Sequence, residues 1–106
     1  MRIFVFIAAI AVMTCPALAQ NAASIKIATA LGSVLASEEL CGLSYDQAAI
    51  SAYVEANVPA DDMSFPSTLQ MMTQGQEYQL GQMTASAKTA HCAQITRVAK
   101  SFDFIK

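Results

Sequence analysis

Two cysteines and one histidine are the side chains of this sequence with the clearest capacity for chemistry. Cys92 directly follows His91, and Cys41 lies far upstream. A thiol nucleophile needs a free thiolate in contact with a base, and adjacent residues on a helix point about 100° apart, so sequence adjacency does not supply that contact. Zinc sites usually take four ligands, closely spaced in pairs, a pattern that is missing here. We therefore expect a disulfide between Cys41 and Cys92 and no catalytic or metal-ligating residue.

Two acidic pairs, Glu38-Glu39 and Asp61-Asp62, are the other candidates for chemistry. General acid–base catalysis needs two carboxylates that face one site in different environments. Both pairs fall at predicted helix ends or loops, where solvated acids are common. The D-x-D-x-D-G spacing of a calcium loop is absent, and no other motif indicates a cofactor. We expect no cofactor and no acidic catalytic site.

The first residues have the three parts of a secretory signal. Arg2 precedes an uninterrupted apolar run over residues 3–13, and the small-x-small triplet Ala17-Leu18-Ala19 follows. The run is shorter than the roughly 20 residues that span a bilayer. We predict a signal peptide over residues 1–19, cleaved between Ala19 and Gln20. The alternatives are a retained N-terminal anchor and a lipoprotein acylated at Cys15.

Cleavage would leave a single small domain over residues 20–106. This domain carries five basic and eight acidic side chains, a net charge of −3. A weakly acidic chain without a basic stripe argues against nucleic acid and against an anionic membrane as partner. Removal of Cys15 leaves an even pair of cysteines, which in an exported protein indicates a disulfide. We expect the domain to reside in the periplasm, with no stable membrane insertion.

Helical spacing dominates the mature chain, and it predicts an all-α bundle of four helices. The first helix is expected over about residues 22–40, with Gly42 as its C-terminal cap. The second is expected to begin at Ser44 in a capping box with Gln47, with Asp46 in its first turn, and to end near Asn57 before Pro59. The predicted inward faces of these two helices are Ile27, Leu31, Val34 and Leu35, and Ala49, Ile50, Tyr53 and Val54.

The third and fourth helices follow a loop over residues 59–64. The third is predicted to begin at Ser64 or Phe65, with Pro66 in its first turn, and to weaken near Gly75. The fourth is predicted to begin after Thr84 or Ser86. Its apolar stripe comprises His91, Ile95, Val98 and Phe102. The apolar tail over residues 102–106 is expected to fold back onto the bundle.

Four methionines lie in one third of the chain, at Met63, Met71, Met72 and Met83. Methionine adapts to irregular gaps in a core and also to varied apolar partners. The first role is the commoner one, and Tyr45, Tyr53 and Tyr78 are likewise expected in the core or at its rim. The second role leaves open a protein partner for the segment around these methionines.

Three segments of the chain resemble a family of small exported alphaproteobacterial proteins. They are residues 35–50 (LASEELCGLSYDQAAI), residues 61–65 (DDMSF) and residues 88–92 (KTAHC). The family implies no activity. Some members bear the label "signal recognition particle", but this chain has neither a phosphate-binding glycine loop nor a basic RNA-binding face. In architecture alone, the chain is also similar to the Hde-type acid-stress chaperones and to small periplasmic immunity proteins.

These features together favour a non-enzymatic periplasmic interaction protein, with a stress-related chaperone as one form. One alternative is an immunity or inhibitor protein directed against a periplasmic hydrolase or toxin. Another is a small enzyme that uses His91, which would require a polar pocket joining His91 to an acid of the second helix or of the 61–62 loop. The sequence gives no oligomeric state.

Overall fold

The structure, a computed structural model, describes residues 16–106, with side chains from Ala22 onward. These residues form four helices: α1 (Pro16–Leu40), α2 (Gln47–Asn57), α3 (Phe65–Leu80) and α4 (Ala85–Ser101). The described part of the chain is thus all-helical, which confirms the predicted fold class. The predicted signal peptide falls mostly on the residues before Pro16, and the side chains at its cleavage site, Ala19 and Gln20, also lie outside the described set.

Helices α1 and α3 pack along each other and run in the same direction. Ser24 meets the loop before α3, while Leu40 and Leu80 line one groove at the other end of the pair. Midway, Gly32 brings the two backbones close together, because a Cβ built there would lie 3.1 Å from the Met72 Cβ and 3.2 Å from the Thr73 nitrogen. A side chain at this position would therefore force the helices apart.

The core forms around the inward face of α1. Leu31 is fully buried and Val34 is 3% exposed, as their spacing predicts, while Ile27 and Leu35 are partly buried against them. The rest of the buried cluster comes from α1 itself, from the loop after it, from α3 and from the C-terminal region. Its members are Ala28, Tyr45, Phe65, Ile95, Ala99 and Phe104. The small alanines let the helices approach where a larger side chain would separate them.

Helix α1 ends in a Schellman motif, as predicted. Gly42 has a φ of +64°, Leu43 N donates to the Glu38 carbonyl at 2.8 Å, and Gly42 N donates to the Glu39 carbonyl at 3.1 Å. Glycine adopts this left-handed conformation at little cost, which explains why the helix stops here. The motif places Cys41 directly after the last helical residue.

The capping box predicted for Ser44 and Gln47 is wrong. The N-cap of α2 is Asp46, whose Oδ1 accepts the backbone N–H groups of Ala48 at 2.9 Å and Ala49 at 3.3 Å. Asp46 N also donates to the Phe104 carbonyl at 2.8 Å. The C-terminal tail thus fixes the backbone at Asp46, so the helix begins later than its local signals indicate. It ends at Asn57, as predicted.

Helix α3 begins after Ser64 with proline in its first turn, as predicted, and α4 begins after Thr84, whose hydroxyl accepts the Ala87 N–H at 3.2 Å. The expected weakening of α3 near Gly75 does not occur, because the helix runs unbroken to Leu80. Since the inward residues of α3 on both sides of Gly75 contact α1, packing outweighs the low helix propensity of glycine.

The C-terminal tail folds back onto the bundle, as predicted. Phe104 is fully buried and packs against Tyr45 and Tyr53, with ring centroids 5.8 and 5.9 Å apart. Phe102 packs on Tyr53 at 4.9 Å. Four aromatic rings thereby join α2 and the loop before it to the end of α4, so α2 is held mainly by contacts between partly buried side chains.

Candidate functional site

A disulfide closes the structure between the end of α1 and the middle of α4. The Sγ atoms of Cys41 and Cys92 are 2.07 Å apart and their Cα atoms 5.3 Å apart. This confirms the predicted pairing. Both thiols are consumed in the bond, so neither is available as a nucleophile or as a metal ligand in the oxidised protein. Among the residues that the structure describes, no group of three histidine, cysteine or acidic side chains is placed to hold a metal ion.

His91 forms a second link between α4 and α1, one residue before the disulfide. Its Nε2 lies 2.8 Å from the Ser37 hydroxyl oxygen. The Ser37 hydroxyl donates its only hydrogen to the Ser33 carbonyl at 2.7 Å. The imidazole must therefore donate to Ser37 from Nε2–H. Because Ser37 is fully buried, its hydroxyl is not accessible to a substrate.

The structure separates His91 from the acid that the enzyme hypothesis needs at the 61–62 loop. The Asp62 carboxylate lies beside Ser24, which helps to lower its pKa, whereas His91 is hydrogen-bonded to Ser37. Thirteen residues along a helix correspond to about 20 Å. The two side chains therefore lie near opposite ends of the described part of α1, and the structure does not bring them into one site.

Each acidic pair contains one acid that stabilises the fold and one that faces solvent. Glu38 accepts the Tyr45 N–H at 2.6 Å, while Glu39 is exposed. Asp62 accepts the N–H and hydroxyl of Ser64 at 3.1 and 2.8 Å, while Asp61 is exposed. These structural and solvent-exposed positions explain why both acidic pairs occur, and the explanation does not require a catalytic role.

The Asp62 carboxylate joins three segments of the chain. Hydrogen bonds from the Ser24 hydroxyl, then from the Ser64 hydroxyl, and more weakly from the backbone of Ser64 and Phe65, lower the pKa of Asp62 below its usual value. Ser24 is 6% exposed and belongs to α1, so the loop before α3 is tied to α1 through one ionised side chain.

The methionines and tyrosines divide between core and surface. Tyr45 is 5% exposed and Met72 is partly buried against Gly32, in keeping with a packing role. Met63, Met71 and Tyr78 are 87%, 63% and 74% exposed. These three large apolar side chains all lie on α3 or in the loop before it, and Tyr78 lies outside the core in which it was expected.

An apolar groove of about 380 Å³ opens between the end of α2 and the start of α3. Val54, Val58 and Phe65 line it together with two prolines, and Glu55 and Asp62 also belong to its lining. A second groove of about 510 Å³ lies between the C-terminal ends of α1 and α3. We call the first of these the α2–α3 groove.

Comparison of the chain with models of protein families, with curated proteins and with solved structures finds no match. The geometry of the described residues must therefore carry any assignment of a role. None of the helices in that part of the chain has the length and apolar character needed to span a membrane.

Sequence reasoning missed the two buried serines. Ser37 and Ser24 were not singled out, although Ser37 follows Val34 by three positions on the inward face of α1. That position is the available signal, because a serine on an apolar helix face needs a hydrogen-bond partner. Its cross-helix partner, His91, could not be found from spacing, since the two residues are distant in the chain.

Proposed function

We propose that this protein is exported to the periplasm and binds another protein through the outer face of α3 and the loop before it. The observation that supports this role is the exposure of Met63, Met71 and Tyr78. Exposed large apolar side chains that group together are typical of interaction surfaces. Tyrosine and methionine are enriched in such surfaces, because they bury much area and adapt their shape.

The outer face of α3 has the form of a helix contact surface. Met71 and Tyr78 are seven residues apart, which places them on the same side of the helix two turns apart. Gly75 lies between them, and a Cβ built on it would meet nothing within 4 Å. No intramolecular contact therefore requires this glycine, and it leaves the backbone accessible between two apolar side chains.

The disulfide supports export. Such bonds persist in oxidising compartments and are rare in the cytosol. The signal-like residues 1–19 agree with that location, and cleavage after Ala19 would remove the third cysteine, Cys15. Export of an 87-residue chain, with cleavage between Ala19 and Gln20, remains part of this proposal.

An acid-responsive chaperone is the form of this function that one specific observation favours. Asp62 lies just before α3 and beside Ser24 of α1, and hydrogen bonding by Ser24 and then Ser64 lowers the pKa of its carboxyl. Protonation in acid weakens these hydrogen bonds. Phe65 is 4% exposed and lies with Ser24 and Ser64 around one pocket, so separation of the start of α3 from α1 would expose apolar surface in the same segment as Met63.

Affinity capture from periplasmic extract tests the interaction. The oxidised protein is compared with a Met71→Ser/Tyr78→Ser variant and with a Gln70→Ser/Gln79→Ser control, which changes two exposed polar residues of the same helix. We expect mass spectrometry to find the partner with the wild type and the control, and to find it depleted with the first variant. Equal recovery with all three proteins would refute the role of this face.

The proteins that are captured distinguish an inhibitor or immunity protein from a chaperone. A single stoichiometric hydrolase or toxin indicates an inhibitor or immunity protein, whereas many clients that increase at low pH indicate a chaperone. Absence of any specific protein at either pH would count against the proposed function as a whole.

A further inference from the structure

We infer that the α2–α3 groove is a docking site for an extended segment of another protein in which an apolar side chain is flanked by lysine or arginine. This site shares the loop before α3 with the proposed interaction surface, but it does not include Met71 or Tyr78, so binding in the groove and binding on the outer face of α3 can be tested separately. The groove's apolar lining and the charges around it carry the inference.

The groove has apolar lining residues and is large enough to admit an apolar side chain. Val54, Val58 and Phe65 line its base, and its volume is about 380 Å³. Val54 and Val58 are only partly buried, although they pack against the core. A leucine-sized side chain that enters the groove would remove this remaining apolar surface from water, which is favourable.

The walls of the groove are held rigidly before any partner binds. Pro59 and Pro66 restrict the backbone on its two sides. Within the connecting loop, Asp62 Oδ1 accepts the N–H and the hydroxyl of Ser64 at 3.1 and 2.8 Å. A preformed site does not lose the conformational entropy that ordering a flexible loop would cost, so even a short segment can bind there.

The charged residues of the groove determine which kind of segment it can bind. Glu55 and Asp62 line the groove, and among the residues that the structure describes no lysine, arginine or histidine joins them there. Over residues 27–87 the chain carries seven acidic side chains and no basic one. The described lining of the groove is therefore negatively charged, which favours a cationic segment and disfavours an acidic one. Nucleic acid is excluded on the same ground.

A peptide titration tests this inference on the intact oxidised protein. The probe is the acetylated and amidated pentapeptide Gly-Arg-Leu-Arg-Gly, and binding is followed by backbone amide chemical shifts. We expect the shift changes to be confined to the end of α2, the 58–64 loop and the start of α3. Replacing both arginines by glutamine, or the leucine by glycine, should weaken binding about fivefold or more.

Matched variants separate docking from general charge attraction. Glu55→Lys reverses a charge at the groove, and Glu77→Lys makes the same change at an exposed position outside it. We expect about fivefold weaker binding with the first variant and a much smaller effect with the second. Equal weakening by both variants, equal affinity for the glycine-substituted peptide, or no shift change at the groove with the wild type would each overturn the inference.

Discussion

His91 donates a hydrogen bond from Nε2 to the hydroxyl of Ser37, across 2.8 Å between α4 and α1. The direction of this bond follows from the contact of Ser37 with the Ser33 carbonyl, which uses the only hydroxyl hydrogen. In a serine nucleophile activated by histidine, the hydroxyl would instead donate to the imidazole. The geometry around His91 is therefore that of a structural link beside the disulfide.

Replacement of Ser37 by alanine should destabilise the protein by about 1–2 kcal/mol, because the His91 N–H loses its partner in a half-buried position. Urea unfolding of the oxidised protein measures the difference. Thr89→Ala, which removes an exposed hydroxyl from α4, is the control and should change stability by less than about 0.5 kcal/mol. Nitrogen NMR should place the proton of the neutral ring on Nε2, and a proton on Nδ1 would contradict the assigned bond direction.

Removal of the disulfide should lower the free energy of unfolding by more than the replacement of Ser37. For a loop of this length, with a sequence separation of 51 residues between Cys41 and Cys92, the chain-entropy description gives about 4 kcal/mol as an upper value. A Cys41→Ala/Cys92→Ala variant should therefore lose about 2–4 kcal/mol in urea unfolding. Thiol titration of the native protein without reductant is the companion measurement. Free sulfhydryls at both positions would show that the link does not form.

Tyr45 should ionise only at very alkaline pH. Its hydroxyl donates to the Val34 carbonyl at 2.8 Å, and burial, followed by the nearby Glu38 charge, raises its pKa to about 12. Since the pKa is raised, the neutral phenol stabilises the fold fully below the unfolded value of about 10, and this contribution disappears as pH rises through about 12. The difference in ultraviolet titration between the wild type and Tyr45→Phe isolates this group. A midpoint near 10 in the folded protein would contradict its burial.

The helices could be predicted where apolar spacing and glycine act locally. The inward face at Leu31 and Val34 and the end of α1 before Gly42 both follow from such signals. The start of α2 was placed two residues too early, because Ser44 and Asp46 are equally good N-cap residues, and the hydrogen bond from Asp46 N to the Phe104 carbonyl joins this backbone to the other end of the chain. Tertiary contact here overrides the local preference of Ser44.

The candidate surfaces were only partly accessible to sequence reasoning. The methionine segment was recognised, but its division into buried Met72 and exposed Met71 depends on which side of α3 faces α1. The α2–α3 groove was not foreseen, because it forms between residues of two helices and a loop whose relative positions the sequence does not specify. Ala28 and Ala99 were missed as core residues, since small side chains contribute little to an apolar pattern.

Replacement by alanine should have opposite effects on stability at two glycines of neighbouring helices. At Gly32 the new Cβ would lie 3.1 Å from the Met72 Cβ and 3.2 Å from a backbone nitrogen, so Gly32→Ala should cost about 1–3 kcal/mol. At Gly75 the Cβ would meet nothing within 4 Å, and Gly75→Ala should stabilise the helix by about 0.5–1 kcal/mol. Urea unfolding of the two variants checks both signs, and destabilisation by Gly75→Ala would mean that this glycine has an intramolecular role.

Acid should loosen the contact between α1 and the start of α3 through Asp62. Because hydrogen bonds from Ser24 and Ser64 lower the pKa of this carboxyl, its ionised form stabilises the fold at pH values above about 4. That contribution is lost as the pH falls through the lowered folded value. Apolar-dye fluorescence should therefore rise as the wild type is acidified from neutral pH to about 2.

Asp62→Asn isolates that contribution, because an amide keeps the accepting oxygen but does not titrate. We expect this variant to be less stable than the wild type at pH 7 and to show a smaller change in dye fluorescence on acidification. Asp61→Asn, at the exposed neighbouring position, is the control and should follow the wild type. A flat dye signal in the wild type would remove the acid-responsive form of the proposed function. An equal response in wild type and Asp62→Asn would locate the acid-sensitive group elsewhere in the fold.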